Sequence, residues 1–502
     1  MSNADAERGA GFTATRSLFE SLLAWLDGTQ AATLSHAALE DRLRVDAREL
    51  IRQALQEHLD QRAESEPDLA SVIDAQNVPR PTTESGHSRA LATVFGPVQV
   101  TRKAYRKRGR PNLHPADAAL NLPEEKHSHG LRRLAAIESA RGSFDAAVEA
   151  IERGTGQRLG KRQVEDLASS AAVDFDAYYR QRQAPTAPTA DVLVISCDGK
   201  GVVMRPGSLR TATAKAAAHA NPKLLTRLSK GEKRGRKRMA EVGAVYDLTP
   251  VSRCPADILR VPDTQRPPAT AGPTARHKWL TASILDDAAT VVTAIFDEAD
   301  RRDPAHQRTW VALVDGNVHQ IQRIQAEATN RHVTVSIVID FVHVLEYLWK
   351  AAWSFHREGD PAAEAWVRKH AHTILEGHAT RVAGTIRRAA TLAGLDKHAR
   401  ENADKAATYL TNKKAYLDYP TALNKGWPIA TGIIEGACRH LVKDRMDLTG
   451  ARWGLHGAEA ILKLRALYSN GDFETYWAWH LTQEHRRVHQ DHYLNGALPR
   501  AA

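Results

Sequence analysis

Val192-Leu193-Val194-Ile195-Ser196-Cys197-Asp198-Gly199 is an almost unbroken apolar run of β-type residues that closes on Asp-Gly. A second run, Trp310-Val311-Ala312-Leu313-Val314-Asp315-Gly316, is built the same way. Continuous rather than alternating apolar character marks strands covered on both faces. Further strand-like runs lie at residues 243–248 and at Val333-Thr334-Val335-Ser336-Ile337-Val338-Ile339, with helical segments at 284–299, at 319–328 and from Phe341 on. Strands alternating with helices predict an α/β core. Ligands in such cores bind at strand ends, so the terminal carboxylates of Asp198 and Asp315 draw attention, although Asp-Gly is also a common turn dipeptide.

Downstream, the block Gly426-Trp427-Pro428-Ile429-Ala430-Thr431-Gly432-Ile433-Ile434-Glu435-Gly436-Ala437-Cys438 runs into Arg439-His440-Leu441-Val442-Lys443-Asp444-Arg445-Met446. It puts Glu435 in the first turn of a helix, where a carboxylate suits the helix dipole and can also hold a hard metal ion. Arg439 and Lys443 follow at i+4 and i+8, roughly on the face of Glu435 and placed to neutralise a phosphate. A third strand-like run ends in Asp340, and His343 follows it. On spacing alone Asp340 competes evenly with Asp315 as a metal ligand.

These residues resemble the Kra-type bacterial insertion-sequence transposases, within the Mutator-like group of DDE transposases. The resemblance is carried by Cys197-Asp198-Gly199-Lys200-Gly201-Val202, by Val314-Asp315-Gly316-Asn317, by Ile339-Asp340-Phe341-Val342-His343-Val344, by the Pro428 to Met446 block and by Gly457-Ala458-Glu459-Ala460-Ile461-Leu462-Lys463-Leu464-Arg465-Ala466-Leu467. It implies an α/β ribonuclease H-like core with an all-α insertion, and a metal-binding catalytic set of Asp198, Asp315 and Glu435. Asp340 and His343 would then support the site or the DNA. It further implies two Mg²⁺ or Mn²⁺ ions, about 3.5–4 Å apart in such enzymes, with Asp198 as the bridging carboxylate.

The chain has 502 residues and a formal net charge of +10. That length predicts two or three domains, and that charge favours a polyanionic partner, here double-stranded DNA. Cys197, Cys254 and Cys438 are far apart with no CxxC spacing, which argues against a zinc ribbon or a disulfide framework. The first residues have no apolar core, and no apolar run approaches the ~20 residues of a membrane span. The expectation is a cytoplasmic, nucleoid-associated protein with no membrane partner.

Ahead of the core, residues 1–80 read as a helical region suited to dimerisation, residues 81–183 as a DNA-binding region, and 184–190, Ala-Pro-Thr-Ala-Pro-Thr-Ala, as an extended linker. Residues 78–87 also have a linker composition. A hairpin is predicted around Gly96-Pro97, its basic end carrying Arg102, Lys103, Arg106, Lys107, Arg108 and Arg110 toward phosphates. Helices at 129–140, 144–153 and 161–170 give a helix-turn-helix outline, the last opening with Lys161 and Arg162. A basic loop with Lys233, Arg234, Arg236, Lys237 and Arg238 is placed to hold a DNA strand. The core is expected over 191–349 and 426–485, interrupted by an all-α insertion at 350–425 and followed by a tail at 486–502. Trp349 and Trp353, one turn apart, are expected to pack inside the insertion.

The function the resemblance implies is binding of the element's terminal repeats, metal-dependent cleavage and strand transfer, by a homodimer or higher assembly. A DNA-binding protein that has lost catalysis and a metal-dependent nuclease without transposition are the alternatives.

Overall fold

The computed structural model describes residues 10–70, 72–219, 224, 235–259, 270–448 and 450–499. The chain divides into two compact units, Met1–Arg180 with Gly471–Ala502, and Gln181–Asn470.

The first unit opens with α1 (Thr13–Leu26) and α2 (His36–Glu64), the latter capped by Ser35, whose Oγ accepts from Ala38 N. Leu18, Phe19, Leu23, Leu26, Val45 and Ile51 along this pair are exposed. β1 (Thr82–Thr93) and β2 (Gly96–Arg106) form the expected antiparallel hairpin, turning between Thr93 and Gly96. β1 begins at Thr82, so residues 82–87, read as linker, are strand. Their partners on β2 reach Arg106, and pairing with that edge overrides the polar composition. Three helices follow, α3 (His129–Arg141), α4 (Phe144–Thr155) and α5 (Lys161–Ala171), packed on Leu131, Ala135, Ala147, Ile151, Leu159, Val164 and Leu167. Gly156, at φ 69°, ends α4 in the left-handed conformation that favours glycine.

The second unit is mixed α/β. Its strands β3 (Val192–Val203), β4 (Lys237–Leu248), β5 (Ala275–Ser283), β6 (Trp310–Val314) and β7 (Val335–Ile339) make one sheet in the order β5-β4-β3-β6-β7. β3, β4 and β5 pair antiparallel, whereas β3, β6 and β7 run parallel. α6 (Ala288–Arg302) precedes β6, and α7 (Val318–Asn330) crosses from β6 to β7. α8 (Phe341–Ala352) leaves β7, and α9 (Pro361–Leu375), α10 (Ala379–Leu392) and α11 (Glu401–Asn412) supply the helical stretch expected after residue 350. The chain returns through α12 (Gly432–Ala437), a π-helical turn at Cys438–Lys443, and α13 (Leu455–Asn470). Glu459 on α13 accepts from Ser283 Oγ and from the amides of Ile284 and Leu285, which binds that helix to the end of β5. Trp349 and Trp353 stack loosely at 5.4 Å, but Trp353 is 40% exposed, so the pair is not the enclosed packing expected.

α14 (Phe473–Val488) departs from the expected boundary. It belongs to the first unit, not to the closing helices of the core. His480 is fully buried with Nδ1 2.7 Å from Asp174 Oδ2, Arg487 holds the same carboxylate, and Glu484 pairs with buried Arg132. Buried charges must find partners. Those of α14 lie in the first unit. Among the described residues no helix is long and apolar enough to cross a membrane.

Candidate active site

The register of the parallel strands aligns the acidic residues. Ile195 pairs with Ala312, and Ser196 Oγ donates to Leu313 O at 2.6 Å. Carried forward, this sets Asp198 level with Asp315. Val314 pairs with Ile339 and Asp340 N donates to Val314 O at 2.8 Å, which sets Asp315 level with Asp340. Extended beyond the last paired residues, the register places Asp198 in β3 level with Asp315 and Asp340 just past the ends of β6 and β7, on neighbouring chains ~4.8 Å apart.

The three are held differently. Asp198-Gly199 is not a turn: β3 runs on to Val203 paired with β4, and a Cβ on Gly199 would lie 2.9 Å from Met239 Cε. Asp198 accepts from its neighbour's amide, Gly199 N, and from Cys438 Sγ at 3.3 Å. Asp315, part exposed, accepts from Asn317 N and starts a true turn, with Gly316 at φ 92°. Asp340 is fully buried and caps α8, accepting from Val342 N. Burial pushes its carboxyl up, but His343, Thr431 and the Val342 amide together hold it below its ordinary value. Asp340 in turn raises His343, against partial burial and with help from Asp315 and Glu346. His343 Nδ1 stands 3.8 Å from Asp340 Oδ2, an ion-pair separation rather than a hydrogen bond.

α12 lies over this row. Thr431 Oγ1 donates to Asp340 Oδ2 at 2.6 Å, and Glu435 Oε1 is 3.1 Å from the same hydroxyl. Asp340, His343 and Glu435 offer ligand atoms all within 4.8 Å of one another, the one such group of three among the described residues. Asp198 and Asp315 do not join it at that distance. Their charge nevertheless converges: burial, then Asp315 and Asp198, push the Cys197 thiol up to about 12. Oxygen donors with one imidazole suit a divalent cation such as Mg²⁺ or Mn²⁺, the imidazole favouring Mn²⁺.

The turn after Glu435 is π-helical. In an α-helix each step of four residues overshoots by about 40°; the wider turn offsets that drift, and Glu435, Arg439 and Lys443 are all exposed while Ile434, Cys438 and Val442 are buried. Arg465 donates to the carbonyls of His440 and Leu441.

The basic candidates divide by environment. Arg102 is buried and paired with Asp117 at 2.9 Å, so it is not available for the phosphate contact expected of it. Lys103 pairs with Asp68 and Arg106 with Glu84, at the hairpin's mouth. Lys107, Arg108 and Arg110 are exposed. Lys161 pairs with Asp145, and Arg162 with Glu165 and Asp166, all at the surface. Lys237 and Arg238 are in β4 rather than a loop, and Arg238 donates to the carbonyls of Ile284 and Leu285. Arg236 is exposed, while Lys233 and Arg234 lie outside the described residues.

Three residues of the site escaped the sequence reading. Thr431 and Cys438 sit in the quoted block, and the i, i+4 spacing of Thr431 and Glu435 is the signal that points to a shared face. Glu241 on β4 pairs opposite Gly199; burial pushes its carboxyl up, Asp198 adds to this, and Arg323 and Arg210 pull it down. Nothing in its local sequence separates it from an ordinary strand glutamate.

Comparison with known proteins adds no family: no protein-family model matches the chain, and no curated protein matches it.

Proposed function

We propose that the chain is a DDE transposase of the Mutator-like group, resembling the Kra type, which binds the terminal repeats of an insertion sequence and carries out metal-dependent DNA cleavage and strand transfer. The observation that carries this reading is the level row of Asp198, Asp315 and Asp340 at the parallel strands, with Glu435 laid over it. A ribonuclease H-like core is supported by the order β5-β4-β3-β6-β7, with three antiparallel strands and two parallel ones. A row of like charges repels itself and repels phosphate, so it acts on DNA only with cations between them.

Asp198, Asp315 and Glu435 would hold the ions, Mg²⁺ or Mn²⁺, with Asp340 and His343, whose ligand atoms lie within 4.8 Å of that of Glu435, as the alternative partners of Glu435; bound ions would supply an activated water or 3′-hydroxyl and stabilise the leaving oxygen. Burial separates Asp315 from Asp340. Asp340 is enclosed, accepts from Thr431 and the Val342 amide and faces His343 at ion-pair distance, which suits a residue that positions Thr431 and His343. Asp315 is part exposed and suits a ligand. Arg439 and Lys443 stand on the face of Glu435 toward the DNA backbone, and the exposed Lys107, Arg108 and Arg110 serve phosphate contacts in the first unit. The exposed apolar side chains of α1 and α2 favour self-assembly at paired element ends.

An excision assay in cells, with a donor plasmid carrying the element's own ends, tests this. Wild type gives excision and short direct duplications at new sites, and Glu435→Gln gives none. Excision by Glu435→Gln at the wild-type rate would remove the reading.

A further inference from the structure

Tyr347 on α8 and Tyr409 on α11 stack with ring centroids 4.0 Å apart and planes 15° apart. They wall an open cavity of about 780 Å³ whose rim carries Lys397, His398, Glu401 and Lys405. Neither ring is enclosed in the core; both are part exposed and face charged side chains. The Tyr409 hydroxyl donates to Asp315 O at 3.1 Å, so the aromatic wall is fixed to the row of carboxylates. Burial pushes that hydroxyl up, and it remains a donor across the physiological range. Lys350 Nζ lies 5.3 Å from the Tyr347 centroid. Lys405 is neutralised by Glu401 at 2.6 Å, whereas Lys397 has no ion-pair partner among the described residues.

Volume, aromatic wall and cation define the occupant. The cavity falls within the ~300–1,000 Å³ of ligand sites. A paired base is stacked inside its helix and cannot reach the rings, but an unpaired one presents a free π-face. We infer that this cavity takes a single unpaired nucleotide of the DNA strand held at the carboxylate row, its base displacing Lys350 from the face of Tyr347 turned away from Tyr409 and its phosphate on Lys397. This rests on the DNA-processing reading above, which supplies the strand. Glu401 is placed to accept from an exocyclic amine of the base.

Full-length protein with Ca²⁺ in place of Mg²⁺ or Mn²⁺, which screens the carboxylates without supporting cleavage, tests the inference by binding to a duplex with one bulged 2-aminopurine, compared with the same duplex fully paired. Stacking on an aromatic ring quenches 2-aminopurine fluorescence. Wild type should quench the probe and prefer the bulged duplex by roughly tenfold. Tyr347→Ala should lose both while binding paired duplex as wild type does, and Tyr347→Phe should keep both. A Tyr347→Ala protein that retains preference and quenching, or a wild type that shows neither, overturns the inference. So does competition by free deoxyadenosine monophosphate at equal concentration, which would make a free nucleotide the occupant. No cleavage enters this measurement, so its outcome is separate from the metal-dependent activity.

Discussion

Thr431 Oγ1 donates to Asp340 Oδ2 at 2.6 Å, fastening the start of α12 to the end of β7. The hydroxyl has one proton, so Glu435, an acceptor 3.1 Å from the same oxygen, competes with Asp340 for it, and the shorter contact goes to Asp340. Removing the hydroxyl leaves a buried carboxylate short of a donor. Thr431→Val should therefore cost about 1–3 kcal/mol of stability and raise the Mn²⁺ concentration needed for half-maximal cleavage. Thr431→Ser should restore both. Denaturant melts and a Mn²⁺ titration of the three proteins give the answer; an unchanged Thr431→Val would mean that the contact positions nothing.

The row of carboxylates yields a ranking. Asp315→Asn should abolish metal-dependent cleavage, because a part-exposed ligand is lost, whereas Asp340→Asn should weaken it and also lower the melting temperature, because the buried carboxylate oxygen that accepts from Thr431 and faces His343 is lost. Cleavage assays and calorimetry on both variants separate the effects. The reverse ranking makes Asp340 the ligand.

Gly426 opens the block that carries Glu435. It has φ 72°, and a Cβ there would lie 2.3 Å from Val251 N, inside backbone that cannot yield. Gly426→Ala combines a strained φ with that clash, and a loss of at least ~1–3 kcal/mol is expected. Thermal unfolding checks it; a wild-type melting temperature would refute the packing described for this loop.

His370 on α9 is buried against Trp366, ring centroids 4.2 Å apart, and burial pulls its imidazole down to about 4. The sign follows from proton binding. Between its unfolded value near ~6.5 and about 4, the unfolded chain takes up a proton that the folded chain does not, so stability falls as pH falls through that window. Full neutralisation corresponds to ~3 kcal/mol, all of it present above the window. His370→Leu should flatten this part of the stability profile, measured by urea melts from pH 7 to pH 4. An equal slope in both proteins would mean that His370 titrates normally.

Much of this was legible from the chain and some was not. The buried runs ending at Asp198, Asp315 and Asp340 are strands because continuous apolar character leaves little else, and Glu435 falls in a first helical turn as its block predicts. The Asp198-Gly199 dipeptide misled, since a glycine inside a paired strand looks the same in sequence as one required by a turn. Arg102 reads as surface charge until Asp117 is seen beside it. The place of α14 rests on pairing of His480 and Glu484 with Asp174 and Arg132, partners hundreds of residues earlier, and no local pattern encodes that.

The same pairing has a consequence for any fragment. A chain ending at Asn470 would leave Asp174 and Arg132 buried without their partners, a loss of ~3–5 kcal/mol by analogy with broken buried pairs. It should bind DNA poorly through an unfolded first unit, as circular dichroism and duplex titration of the truncated chain would show. Full duplex affinity in that chain would place DNA binding in the second unit.

The central claim is that these carboxylates cut DNA with divalent metal. Purified full-length protein, its own element ends as substrate, and Mn²⁺ or EDTA suffice to test it, with wild type beside Asp198→Asn. The account predicts cleavage at the element end by wild type in Mn²⁺, none in EDTA, and none by Asp198→Asn although that variant binds the same DNA with wild-type affinity. Cleavage by Asp198→Asn at the wild-type rate, or cleavage undiminished in EDTA, would contradict it.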